Sequence, residues 1–81
     1  MPLVTIKGIA GTFTSEQKQT LIKKITDAMV EFEGETMRPL TWVLFEEILP
    51  GDWGIAGQCV GVDEFKAIQT GAISVRDAIG A

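Results

Sequence analysis

A long amphipathic helix between two strand-like runs is the feature that most constrains the fold of this 81-residue chain. Thr14 is followed three residues later by Gln17, the spacing of a capping box, in which each side chain satisfies an unpaired backbone N–H at a helix start. The apolar positions that follow repeat at the spacing of one buried stripe: Leu21, Ile22, Ile25, Ala28, Met29 and Phe32. Gly34 predicts the C-terminal end of this helix.

Two runs rich in β-branched and apolar residues flank the helix. Residues 3–9 predict a first strand, in which Val4 and Ile6 share one face by alternation. After a polar loop, residues 41–49 predict a second strand that is largely apolar on both faces. The helix can cover one of these faces only, so we expect another subunit to cover the other. A strand, a helix and a second strand form a β-α-β unit with parallel strands.

The rest of the chain predicts shorter elements within the same single domain, residues 1–81. Residues 50–52 predict a turn and residues 53–57 a glycine-spaced hairpin or loop. Asp63 and Ser74 predict the caps of two short helices, which end near residues 69 and 79. The expected fold class is therefore α+β: a β-α-β subunit with two parallel strands, one long helix and a C-terminal tail of hairpin and short helices, assembled into an oligomer.

Composition and charge argue against several classes of protein. The formal net charge of −4 argues against a nucleic-acid partner, because phosphate binding needs clustered positive charge. The chain has no histidine, which removes histidine-dependent nucleophilic catalysis and most transition-metal sites, so we expect no metal. Cys59 is the only cysteine, and we expect it to be buried or in a loop. No apolar run reaches the roughly 20 residues of a membrane span, so we expect a cytoplasmic protein without membrane contact.

Pro2 carries the possible chemistry, because removal of Met1 would turn its ring nitrogen from an amide into a free secondary amine. A general base works best when its pKa is near the ambient pH, and an apolar wall lowers the pKa of an ammonium group. The candidates for that wall are Val4, Ile6, Leu44 and Trp53. The alternative interpretation is a proline that starts a strand and has no chemical role.

Several short pieces, taken in order, make the chain resemble the 4-oxalocrotonate tautomerase family. No single piece is specific, but their conjunction at near-family spacing is. The resemblance runs from Pro2 to Gly57 and leaves residues 58–81 as a tail outside it. The pieces are Pro2, Ser15-Glu16-Gln17-Lys18, Thr20-Leu21-Ile22, Pro39-Leu40-Thr41 and Trp53-Gly54-Ile55-Ala56-Gly57.

The resemblance implies a subunit that pairs into dimers of continuous sheet, often assembled further as trimers of dimers. Pro2 would lie at the base of a pocket between subunits and act as general base without a cofactor. The family reaction moves a proton from the carbon α to a carbonyl onto a more distant carbon, by way of a dienol. We therefore expect 1,3- or 1,5-keto-enol proton transfer on a small carbonyl acid.

The chain departs from the family where family members commonly carry two arginines that bind substrate carboxylates. Those positions hold Thr12 or Phe13 after the first strand, and Leu44 in the second. None of these side chains can grip a carboxylate at two points as a guanidinium does, so a dicarboxylate substrate is not expected. The candidate replacement cations are Lys7, Arg38 and Arg76. Lys7 lies on the strand face opposite Pro2 and Arg76 in the tail, while Arg38 could reach a neighbouring subunit's pocket. Phe13 and Leu44 would line the site.

Two further residues each have a functional interpretation and a purely structural one. Trp53 stands at the family's aromatic pocket residue, but it could equally be a core or interface tryptophan. Glu46 shares a face with Leu44 and could position a water for hydratase or dehalogenase chemistry, or it could be an edge carboxylate paired with a lysine. An alternative from another class is a non-catalytic oligomeric binding protein on the same scaffold.

Overall fold

The computed structural model of the protein describes residues 2–80. Within this range β1 and β2 form one two-stranded sheet, and β3 and β4 form another. This arrangement, with one long helix after β1, confirms the α+β prediction. The elements in chain order are β1 (Leu3–Ile9), α1 (Ser15–Glu33), a 3-10 helix (Glu35–Leu40), β2 (Trp42–Ile48), β3 (Trp53–Ile55), β4 (Gln58–Val60), α2 (Val62–Gln69) and α3 (Val75–Ile79).

Strands β1 and β2 are parallel, as the β-α-β pattern predicts. The backbone N–H of Trp42 donates to the carbonyl of Pro2 at 3.1 Å, where both strands start. At the other end, the N–H of Ala10 donates to the carbonyl of Ile48 at 2.7 Å. The start of β1 is therefore bonded to the start of β2, and the end of β1 to the end of β2. This is the parallel arrangement that a helical crossover produces.

The described residues form two compact units. The first contains residues 2–7 and 13–46, with α1 and the 3-10 helix. The second contains residues 8–12 and 47–80, with the β3–β4 hairpin and the two short helices. None of the helices in residues 2–80 has the length and apolar character that crossing a membrane requires.

Helix α1 begins and ends where the sequence predicts. The side chain of Thr14 accepts from the N–H of Gln17 at 3.0 Å, and the N–H of Thr14 donates to Gln17 Oε1 at 2.9 Å. At the other end Gly34 has φ of +99°, a conformation that favours glycine, and its N–H donates to the carbonyl of Val30 at 2.8 Å. The capping box therefore sets the start of the helix, and this glycine ends it.

The buried stripe of α1 differs from the prediction in its C-terminal half, where Ala28 is exposed. Val30, which the predicted stripe omits, is 7% exposed, whereas Phe32 is 91% exposed. Near the C-terminal end of the helix the side chain of Thr41 donates a hydrogen bond to Glu33. At this end, the observed buried side of the helix therefore lies at Val30 and Glu33 and not at Phe32, which faces solvent.

Residues 35–40 form the 3-10 helix, where the sequence predicts a polar loop. The N–H of Met37 donates to the carbonyl of Gly34, and the N–H of Thr41 to that of Arg38. These are i to i+3 bonds, which a short segment can make without the longer run that an α-helix needs. The loop prediction is wrong because this connection has regular backbone hydrogen bonds.

The β3–β4 hairpin in the second unit confirms the predicted glycine-spaced hairpin. Trp53 stands opposite Val60 in the antiparallel register, and Ile55 stands opposite Gln58. The two-residue turn uses Ala56, with φ of +51°, and Gly57, with φ of +80°. Such turns need positive φ at both central residues, so the alanine holds a conformation that is costly for a residue with a Cβ atom.

The sequence predicts one of the two short-helix caps correctly. Ser74 caps α3, since its Oγ accepts from the N–H of Asp77 at 3.1 Å. Asp63 does not cap α2, because that helix already begins at Val62 after Gly61. The carboxylate of Glu64 reaches back instead and accepts from the N–H of Gly61 at 3.0 Å.

Cys59 is exposed on strand β4, so the expectation of a buried or loop cysteine is wrong. Its neighbour Val60 is 3% exposed. Successive side chains of a strand point to opposite faces, so burial of Val60 turns the thiol towards solvent.

Candidate active site

Pro2 immediately precedes β1 and is half-buried. The hydrogen bond between its carbonyl and the N–H of Trp42 ties it to the first residue of β2. The proline therefore has a fixed place at the start of the parallel sheet. Met1, whose removal would free the ring nitrogen, lies outside the described residues.

The side chains around the start of the sheet divide between its two faces. Val4 and Ile6 are half-buried, whereas Leu3, Trp42 and Leu44 are exposed. Leu44, 42% exposed, lies on the face opposite to Val4 and Ile6. One protomer therefore does not bring these three predicted wall residues together, and only a second subunit could add a leucine to the wall.

Phe13 lies between β1 and α1 and packs against the covered face of β2. Its ring meets that of Phe45 edge to face, with centroids 5.5 Å apart and planes at 77°. The ammonium group of Lys18 on α1 lies 5.8 Å from the centroid of the same Phe45 ring. Edge-to-face aromatic contacts and cations over ring faces are both attractive, so Phe13 is held in place by its surroundings.

An open groove of about 540 Å³ begins at Phe13 and runs along the first part of α1. Of the site residues that the sequence predicts in the first unit, Phe13 lines this groove, and Pro2, Arg38, Leu44 and Glu46 do not. The other lining residues are Thr14, Glu16, Gln17, Thr20, Leu21 and Lys24.

Glu46 pairs with a lysine, as its purely structural interpretation requires. One of its carboxylate oxygens lies 3.8 Å from the Nζ of Lys7, and both side chains are about half exposed. Lys7 belongs to the exposed face of β1, so this pair also shows that Glu46 and Leu44 lie on that side of the sheet. An exposed ion pair contributes about 0–1 kcal/mol, so the lysine restrains the carboxylate weakly.

Arg38 is engaged by carboxylates of its own protomer. Its Nε donates to Glu35 Oε1 at 2.7 Å and its Nη2 to Glu35 Oε2 at 3.3 Å, while its Nη1 donates to Asp27 Oδ1 at 2.7 Å. Asp27 also accepts from Lys23 at 3.0 Å. The planar guanidinium therefore fastens the 3-10 helix to α1, and to bind substrate it would have to leave these partners.

These contacts perturb the ionisation of the two acids. The hydrogen bond from Arg38 holds the pKa of Asp27 below its ordinary value of 3.8, and the bond from Lys23 lowers it further. The same guanidinium holds the pKa of Glu35 below its ordinary value of 4.5. In return, Glu35 and then Asp27 raise the pKa of Arg38. All three groups are therefore charged at neutral pH.

Sequence reasoning missed Asp27 and Glu35 as partners of Arg38. Glu35 stands three residues before Arg38, and Lys23 stands four residues before Asp27, spacings at which helical side chains meet. These local signals could have been found. The bond between Arg38 and Asp27 spans eleven residues and carries no local signal.

Trp53 belongs to the second unit, where it begins β3 and is half-buried. Its position in the chain is the first after the turn that follows β2, and Val60 stands opposite it across the hairpin. An indole ring with part of its surface open can line a binding surface and keep water away from it.

Within residues 2–80, no group of three or more Cys, Asp or Glu side chains is arranged to hold a metal ion. The described side chains thus offer amines, carboxylates and aromatic rings for chemistry.

A family model described as tautomerase enzyme matches residues 2–63. The chain belongs to the tautomerase family. A 2-hydroxymuconate tautomerase from Bacillus subtilis (strain 168) is 36% identical over 58 residues, which cover 72% of this chain and 90% of that protein. This membership confirms the resemblance that the sequence pieces carry, and it makes the chain similar to tautomerase-type enzymes over both strands of the parallel sheet.

Solved tautomerase structures agree in fold. The YwhB homologue of 4-oxalocrotonate tautomerase is 34% identical, with a TM-score of 0.64, and the match covers 72% of this chain and 92% of that one. TomN, a 4-oxalocrotonate tautomerase homologue in the tomaymycin biosynthetic pathway, is 27% identical, with a TM-score of 0.65 over 82% of this chain and 95% of its own. The family model ends at Asp63, so most of α2 and all of α3 lie beyond it.

Proposed function

We propose that this tautomerase-family member is a cofactor-free isomerase in which the ring nitrogen of Pro2, freed by removal of Met1, is the general base. The reaction is a 1,3- or 1,5-keto-enol proton transfer on a small carbonyl acid. The observation that carries this proposal is the position of Pro2. It starts the parallel sheet, its carbonyl is hydrogen-bonded to β2, and the family match begins at this residue.

The chemistry needs one group that both accepts and returns a proton. The neutral nitrogen takes the proton from the enol hydroxyl, the O–H electrons form the carbonyl, and the C=C electrons shift towards carbon. The ammonium then donates the proton to that carbon, either the neighbouring one or, in a conjugated dienol, the one two positions farther on. Nothing is oxidised or reduced, so no cofactor enters the balance.

The ion pairs of Lys7 and Arg38 in the first unit indicate which kind of substrate suits the protein. Lys7 is paired with Glu46, and Arg38 is paired with Glu35 and Asp27. Lys7 and Arg38, the candidate cations of the first unit, are therefore engaged by carboxylates of their own protomer. A substrate with one carboxylate and an apolar body suits these surroundings better than a dicarboxylate, and phenylenolpyruvate is a suitable probe.

The exposed apolar face of the β1–β2 sheet supports self-association as part of this function. Leu3, Trp42 and Leu44 are all more than 40% exposed on this face. A second subunit that covers them would remove apolar surface from water and could complete the wall around Pro2. We propose a dimer or a trimer of dimers, the assemblies that the resemblance implies. A cytoplasmic location stays a prediction.

Two measurements test the role of Pro2. Intact mass of purified native protein should be lower than that of the full sequence by one methionine. Pro2→Ala should then lower kcat/KM for phenylenolpyruvate by at least about 10-fold, or about 1.4 kcal/mol of barrier. Pro39→Ala, in the 3-10 helix, is the matched control and should keep the native rate.

Three results would contradict the proposal. A full-length mass in active native material would leave Pro2 without a basic nitrogen. An unchanged rate in Pro2→Ala would rule out the proline as base, and absence of any turnover by the processed protein would favour the non-catalytic binding protein.

A further inference from the structure

Residues 62–80 form an ordered segment, most of which lies beyond the tautomerase match at residues 2–63. Each of its two helices has local hydrogen bonds at its ends. The N–H of Thr70 donates to the carbonyl of Lys66 at 3.0 Å where α2 ends. The capping box of Ser74 and Asp77 starts α3, and the N–H of Ala78 donates to the carbonyl of Ser74 at 3.0 Å.

The segment packs against the hairpin. Helix α3 contacts β4 and α2. Val60, on β4, is 3% exposed and is one of the few buried hydrophobic residues in the described part of the chain. Val60 stands directly opposite Trp53 in the hairpin register. The strand that α3 contacts is therefore the one that pairs with the backbone of Trp53.

The start of the segment is also tightly packed. Gly11, in the loop after β1, has φ of +90°, and a methyl group there would lie 3.2 Å from Val62 Cγ2. A methyl group at Gly61 would lie 3.4 Å from Glu64 Oε2 and 3.6 Å from Pro50 Cβ. The separation at Gly11 is tighter than ordinary van der Waals contact, whereas those at Gly61 are ordinary, so only a methyl group at Gly11 would crowd Val62 at the start of α2.

We propose that residues 62–80 act as a strap that holds the β3–β4 hairpin and thereby sets the position of Trp53 in the substrate site. The contacts that form this strap all lie within the second unit. Its effect on substrate binding rests on the proposed function and on the family resemblance, which implies that Trp53 lines the substrate site. Ser74 is then a positioning residue, since it acts through α3 and β4 and not on the substrate itself.

The test loosens α3 without changing the hairpin sequence. Ser74→Ala removes the cap of α3, and Ala78→Pro removes the N–H that bonds to the carbonyl of Ser74. Thr70→Ala is the matched control, because it removes an exposed hydrogen bond, from Thr70 Oγ1 to the carbonyl of Ala67, within the same segment. All three variants are made in the otherwise intact protein from which Met1 has been removed.

The readouts are the indole N–H resonance of Trp53, amide hydrogen exchange in β4, and steady-state kinetics with phenylenolpyruvate. Ser74→Ala should speed exchange in β4 by roughly fivefold, the opening expected from loss of one cap. Ala78→Pro should speed it more. In both variants the Trp53 resonance should shift while that of Trp42 stays, and KM should rise with little change in kcat. Thr70→Ala should resemble the native protein.

The strap is overturned if α3 loses its protection in Ala78→Pro while β4 and the Trp53 resonance remain native. A shift of Trp53 with an unchanged KM would overturn its place in the substrate site. If the native protein turns over no enol, the proposed function fails, but the exchange and resonance measurements still decide whether the strap exists.

Discussion

Replacing Gly11 with alanine tests the packing of α2 against the loop after β1. Gly11 has φ of +90°, and the added methyl group would lie 3.2 Å from Val62 Cγ2. The backbone conformation costs a residue with a Cβ atom about 1–2 kcal/mol. The crowded contact adds about 1 kcal/mol, the low end of the range for overpacking. Gly11→Ala should therefore lower the free energy of unfolding by about 2–3 kcal/mol.

Gly71→Ala is the matched control for this substitution. Gly71 has φ of +80°, and a methyl group there would meet no atom within 4 Å. Gly71→Ala should therefore lower the free energy of unfolding only by the cost of the backbone conformation, about 1–2 kcal/mol. The difference between the two variants isolates the contact with Val62.

The assay is urea unfolding followed by circular dichroism, at one fixed protein concentration because self-association would shift apparent stability. The double variant Gly11→Ala with Val62→Ala removes the crowded atom, so the two substitutions should be less costly together than the sum of the single variants by about 1 kcal/mol. Equal losses in Gly11→Ala and Gly71→Ala, with additive costs in the double variant, would refute the proposed close packing of α2.

Two further predictions concern the first unit. Arg38→Ala should destabilise the protein at neutral pH, where Asp27 and Glu35 are ionised and bonded to Arg38. Because the folded protein holds both pKa values below the ordinary 3.8 and 4.5, this difference should shrink as pH falls through the lowered values. Urea midpoints across the acid range measure it, and a difference that persists once both acids are protonated would contradict the ion-pair explanation. Leu44→Lys should reduce the assembled mass in light scattering at micromolar concentration, whereas Phe32→Lys, which changes an exposed residue of α1, should not. A monomeric native protein would contradict assembly through the β1–β2 sheet.

The elements that sequence predicts correctly are those whose signals are local. The capping box at Thr14 and the cap at Ser74 each use hydrogen bonds across three residues, and the structure has both. The same locality explains the failures. Asp63 is as good a cap by type as Ser74, but Glu64 bonds back to Gly61, and Gly61, two residues before Asp63, is the N-cap of α2.

The candidate site could be predicted less well, because its contacts join distant parts of the chain. From the sequence, Arg38 is an available cation, but in the structure its guanidinium donates hydrogen bonds to Glu35 and Asp27. Glu46 reads as a possible water-positioning group until Lys7 is found beside it, 39 residues earlier in the chain. The pairing of Arg38 with Glu35 has a local three-residue spacing, but the pairings of Arg38 with Asp27 and of Glu46 with Lys7 do not follow from spacing alone.

The sequence by itself determined the order of β1, α1 and β2 and the position of Pro2 next to the first strand, because alternation, helical periodicity and capping act between near neighbours. Tertiary structure alone decided which side of α1 is buried at Val30 and which charged groups are paired. It also decided that α2 packs against Gly11 and α3 against β4. Burial and ion pairing depend on which surfaces meet in space, and residues far apart in the chain meet only after it has folded.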